Sequence, residues 1–78
     1  MNYKYYIQRN PDVLLGKPVI KGTRISVELI MRKLAEGYTI DDLLESYPHL
    51  NKKHIQAVFE YTADIIANEI SMDDHDYC

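Results

Sequence analysis

The chain has 78 residues, 46% hydrophobic and 27% charged, with a formal net charge of −3 and one cysteine, Cys78, at its last position. That length allows one domain at most, burying only about 60–65% of the surface its unfolded form exposes. A lone cysteine excludes an internal disulfide, and His49, His54 and His75 lack metal-ligand spacing, so neither a disulfide framework nor a zinc site supports the core, and no cofactor is expected. A partner subunit, most simply a second copy in a homodimer, is the expected support. No apolar run approaches the ~18–20 residues of a membrane span, and the start MNYKYYIQRN lacks the apolar core of a secretory signal. A cytoplasmic chain with no membrane contact is the expectation.

The overall charge argues against a generally basic nucleic-acid coat, but it hides a split. Residues 1–40 carry seven Lys and Arg against three Asp and Glu, whereas residues 41–78 carry two against nine. Such asymmetry points to one surface for an anion and another for a cationic partner, or to a solvated surface with chance clustering.

In chain order, Tyr3, Tyr5 and Ile7 alternate with Lys4, Tyr6 and Gln8, which predicts a half-buried strand. Asn10-Pro11-Asp12 ends it with turn chemistry. After Gly16-Lys17-Pro18, the run Val19–Ile25 reads as a tight hairpin or a kinked edge strand around Lys21-Gly22, with Gly22 free to take positive φ. Such a ribbon is marginal alone and needs a helix beneath it or a strand from another subunit.

Three helices follow. Ser26 caps the first, whose apolar face is Val27, Ile30, Met31 and Leu34, and Gly37 ends it. Thr39 caps the second, with Asp42 at the reciprocal position of a capping box; Ile40, Leu43, Leu44 and Tyr47 are its apolar face, and Pro48 stops it. Asn51 caps the third, with Leu50 and Ile55 as a hydrophobic staple. Its buried side is predicted to be Ile55, Val58, Phe59, Thr62, Ile65 and Ile66, and it is expected to run to about Ile70. Residues 71–78 read as a flexible acidic tail. The fold class is therefore mainly α: a three-helix, helix-turn-helix (winged-helix-like) domain over residues 1–70 with a short N-terminal β element near residues 3–25.

A short helix, a tight Pro48-His49-Leu50 connection and a longer helix outline a helix-turn-helix, in which the start of the second helix enters the major groove of DNA. Here that start is Asn51, Lys52, Lys53, His54, Ile55 and Gln56. The lysines suit phosphate or guanine edges, and Gln56 has the paired donor and acceptor that suit adenine. Glu60 and Asp64 would repel phosphate, which confines any DNA contact to about the first turn. Against this stands the plain reading of a solvated helical hairpin, in which His49 and His54 are turn and surface residues. Tyr3, Tyr5 and Tyr6 read as packing residues rather than a base-stacking platform. No phosphate loop, nucleophile with a base, or pocketed carboxylate pair is present in the sequence, and no enzymatic activity is expected.

The run Asn10-Pro11-Asp12-Val13-Leu14-Leu15-Gly16-Lys17-Pro18-Val19-Ile20-Lys21-Gly22-Thr23-Arg24-Ile25-Ser26-Val27-Glu28-Leu29-Ile30 resembles the signature of the family called domain of unknown function 433. Leu34-Ala35-Glu36-Gly37, Tyr47-Pro48-His49-Leu50 and the Ile55, Ala57, Tyr61 spacing extend the resemblance to roughly residues 5–65. It implies a compact helix-turn-helix domain, usually dimeric, and an antitoxin role beside a PIN-like nuclease toxin. Leu15 stands where the family commonly has glycine, and Ser26 where it often has proline. On this reading a dimer represses its own promoter as double-stranded DNA. Lys17, Lys21 and Arg24 flank the groove, although Arg24 equally suits a structural ion pair. Asp73, Asp74 and Asp76 of the tail then mimic phosphate in the toxin's cationic groove. The other expectation is a protein-interaction module that never touches DNA.

Overall fold

The computed structural model describes residues 2–73, with side chains through residue 68. Where tyrosine alternation predicted a strand, the chain makes a 3-10 turn over Tyr3–Tyr5. The Asn2 side chain caps it, accepting the Lys4 N–H at 2.9 Å. The turn brings Tyr3 and Tyr6 onto the core together; an extended chain would send residues three apart to opposite faces. Only Ile7–Arg9 (β1) is strand.

β1 pairs antiparallel with Pro18–Ile20 (β2), setting Ile7 opposite Ile20, Gln8 opposite Val19 and Arg9 opposite Pro18. The ribbon therefore closes across the long loop 10–17, and the hairpin expected around Lys21-Gly22 is reduced to one bridge, Val19 to Ser26. The reason is local. The Thr23 hydroxyl donates to the Ile20 carbonyl (2.7 Å) and accepts from the Ile25 N–H (3.0 Å), and Gly22 takes φ +80, so the turn closes within six residues. Ser26 then leaves the ribbon to cap Val27–Ala35 (α1), accepting the Leu29 N–H at 2.9 Å.

α1 ends in a Schellman arrangement: Gly37 at φ +104 donates to Leu34, and Tyr38 donates to Lys33. Thr39 and Asp42 form the predicted capping box on Ile40–Ser46 (α2), with bonds of 2.9 and 3.0 Å. Pro48-His49 turns the chain into Lys52–Asp73 (α3), three residues longer than expected. Among the described residues the fold is mainly helical, with three α-helices and a short two-stranded sheet.

Val19, Ile20, Ile30, Leu43, Ala57 and Val58 have no exposed surface, and the Leu50–Ile55 staple is buried beside them. The expected buried side of α3 holds only in its first half. Ile55 and Val58 are enclosed, but Phe59, Ile65 and Ile66 are 41%, 39% and 46% exposed. Length explains this: 22 residues make a rod of about 33 Å, which outruns a core built with helices of nine and seven residues.

Candidate nucleic-acid interface

The opening of α3 is built by Asn51. Its side-chain oxygen accepts the N–H groups of Lys53 (2.9 Å) and His54 (3.2 Å), two of the donors a helix start leaves unpaired. His54 reciprocates, its Nδ1 accepting the Asn51 N–H at 3.0 Å. This is a capping box with an imidazole nitrogen in the place usually held by the side chain of glutamate or glutamine. The His54 ring also stands edge-on to Tyr6, with centroids 5.4 Å apart. Asn51 and His54 thus spend polar atoms on the helix start itself, and His54 is half-buried.

With the turn held in this way, Lys52, Lys53 and Gln56 are exposed, and among the described residues no ion pair or hydrogen bond engages their side chains. A helix start disfavours cations by up to about 1 kcal/mol each, so both lysines sit at a mildly costly place. Glu60 lies half-buried one turn further on.

Tyr6 links this turn to a second group of cations. The Lys21 N–H donates to the Tyr6 carbonyl at 2.8 Å, so the Thr23-braced turn is tied by its backbone to the residue whose ring meets His54. Lys21 and Arg24 project from that turn, exposed and without an ion pair among the described residues. The ion pair that Arg24 equally suited is thus not formed there.

Lys17 is placed differently. Its ammonium lies 3.1 Å from Glu28, which Arg32 also contacts at 2.9 Å. Arg32 chiefly, and Lys17 after it, hold the Glu28 carboxyl below its ordinary pKa. Lys17 can reach a phosphate only in competition with that carboxylate. Arg9 is likewise engaged, its guanidinium donating to the Tyr61 hydroxyl, while Tyr61 meets Tyr3 edge-on at 5.4 Å. Of the tail carboxylates, Asp73 ends α3, and Asp74 and Asp76 lie outside the described residues.

Lys52, Lys53, Gln56, Lys21 and Arg24, named from the sequence, are all exposed, and what the sequence did not reveal is the contact that joins their two turns. The Asn51-x-x-His54 spacing was the available signal for the box. Nothing local announced the bridge through Tyr6. Among the described residues no three His, Cys, Asp or Glu side chains gather to hold a metal, and no helix is long and apolar enough to cross a membrane.

Beside the α3 turn lies an open groove of about 390 Å³ with Ile40, Ile55 and Phe59 as its apolar lining and Asp41, Lys52 and Gln56 around it. Lys52 and Gln56 thus belong both to this groove and to the first turn of α3.

A family model described as "Protein of unknown function (DUF433)" matches residues 7–62. An uncharacterized protein of Sinorhizobium fredii, y4eO, is 33% identical over 55 residues, which are 70% of this chain. The chain spans only 25% of that relative's length. The crystal structure of a DUF433 member protein from Anabaena variabilis superposes with a TM-score of 0.70 at 31% identity, over 83% of this chain and 67% of the other.

Proposed function

The chain belongs to the DUF433 family, and from that premise and the geometry of the α3 turn we propose that it is a dimeric DNA-binding repressor. It acts as the antitoxin of a toxin–antitoxin pair, a cytoplasmic protein that binds its own promoter and neutralises a PIN-like nuclease. It binds and does not catalyse. The observation that carries the DNA half is the capped, outward first turn of α3, with Lys52, Lys53 and Gln56 unpaired among the described residues and the Lys21–Arg24 turn tied to it through Tyr6. The toxin half rests on the family resemblance and on the acidic charge of residues 41–78.

A chain of net charge −3 can hold DNA only through a local cationic surface, so few residues should carry most of the salt dependence. Replacing Lys52 and Lys53 together by alanine removes four cations from the dimer, two per copy, and is expected to lower the slope of log affinity against log salt by about 4. Promoter binding should weaken at least tenfold. The same variant should melt no lower than the parent, because two cations leave a helix start. A mobility-shift series from 50 to 200 mM salt, beside a thermal melt, checks both. Unchanged promoter affinity would remove α3 as the recognition helix.

The groove beside Ile40 and Phe59 favours a second reading, an interaction module in which a partner protein covers Lys52 and Gln56. That reading expects co-purification with a neighbouring gene product and no mobility shift at physiological salt.

A further inference from the structure

The second half of α3 carries an apolar face that the described residues leave uncovered. Lys52, Gln56, Phe59, Ala63 and Ile66 follow one another at intervals of four, three, four and three, the spacing of a coiled-coil seam. All five are exposed, with Phe59 and Ile66 at 41% and 46%. The residues that bind α3 to its core, such as Val58 and Tyr61, lie on another side of the helix. The seam is polar where the nucleic-acid turn lies and apolar where the helix outruns the domain.

We infer that Phe59, Ala63 and Ile66 form the interface with a second copy of this chain, two α3 helices packing antiparallel about a two-fold axis between Ala63 and Ile66. The seam fits itself. An axis at that point sets the small Ala63 of one copy against the Ile66 of its partner and repeats the contact in reverse, as an isologous interface requires. The flanking positions nearest the axis, Thr62 and Ala67, are uncharged. Glu60 and Glu69 flank the seam further out, and the antiparallel register sets each of them against one of those uncharged positions of the other copy rather than against a like charge. Charge also selects the direction. Parallel helices would bring the two Lys52-Lys53 pairs together, whereas antiparallel helices hold them at opposite ends. There they lie beyond the end of the other copy's α3, which comes level with Gln56 and leaves the lysines as the groups free for DNA.

The spacing that results is the strongest argument for this occupant. From Lys53 to the axis and out to the partner's Lys53 is roughly 23 residue steps, about 34 Å along the helices at about 1.5 Å each. Recognition helices of a dimer that reads successive major grooves stand about 34–36 Å apart. This spacing argument rests on the DNA reading above; the seam's exposure and self-complementarity do not.

The test uses the full chain. In sedimentation equilibrium at micromolar concentration the parent should have twice the monomer mass, while Ile66→Glu and, separately, Ala63→Glu should be monomeric with unchanged far-ultraviolet circular dichroism. Spin labels on Lys53→Cys, in a Cys78→Ser background, should report a single distance of about 35–45 Å, the helix span plus the label arms. A monomeric parent, a dimer that survives both glutamates, or a label distance below about 20 Å, as parallel helices would set it, overturns the inference. A parent that dimerises through this seam yet shifts no promoter DNA upholds the interface and removes the DNA reading instead.

Discussion

Leu15 holds φ 57 and ψ 34 between Leu14 at φ 49 and Gly16 at φ 82, three left-handed residues in succession. A side chain in that region costs about 1–2 kcal/mol, and Leu15 recovers none of it by burial, being 95% exposed. Glycine at this position frees the native backbone but also loosens the unfolded chain by about 0.4–1 kcal/mol. Leu15→Gly is therefore expected to stabilise the protein by about 0.5–1 kcal/mol. A urea titration should show a higher midpoint with an unchanged slope. A lower midpoint would mean that Leu15 makes an apolar contact in solution. Leu15 was visible in the sequence as a departure from the family's usual glycine, but its conformation was not, because left-handed backbone follows from the closure of loop 10–17.

Helix ends were the most legible elements, since a cap is a short-range bond between residues a few positions apart. Ser26, Thr39 with Asp42, and Gly37 all act where their spacing predicted. The cap of α3 goes further, with His54 closing the box on the Asn51 N–H. Asn51→Ala should cost about 1 kcal/mol. His54→Gln keeps an acceptor at the same position and forfeits only the ring contact with Tyr6, about 0.5–1 kcal/mol. His54→Ala loses both and should be the least stable of the three variants by chemical denaturation. Equal stability of the Gln and Ala variants would show that the acceptor contributes nothing. The 3-10 turn at Tyr3–Tyr5 was misread because period-two alternation is a weak signal over five residues. Packing of Tyr3 and Tyr6 on one core outweighs it.

At the scale of the molecule, the uncovered length of α3 sets the behaviour. The protein extends 43 Å along its longest axis against 30 and 23 Å along the others, and the apolar residues of the projecting helix face outward. A folded state completed by a second copy gains stability by mass action, so its melting temperature depends on protein concentration. A tenfold rise in concentration should raise the melting temperature of the parent by a few degrees and leave that of Ile66→Glu unchanged. Scanning calorimetry at 10 and 100 µM distinguishes them. An equal response from both chains would mean that Ile66 takes no part in association. The charge split between the halves was plain in the sequence, yet the pairing of Lys17 with Glu28 was not, nor that Lys21 and Arg24 form no ion pair among the described residues. Ion pairs form across the fold, eleven residues apart in that case, whereas net charge is additive along the chain.

Local order alone accounts for the three helices, their caps, the Leu50–Ile55 staple and the family signature, because each depends on residues within a turn or two of one another. Three outcomes needed the folded chain. They are the partner strand chosen by β2, the link from Lys21 through Tyr6 to His54, and the exposure of Phe59, Ile65 and Ile66. The last is the clearest case: periodicity marks which side of a helix is apolar, but how far that side is covered depends on the reach of the elements packed against it.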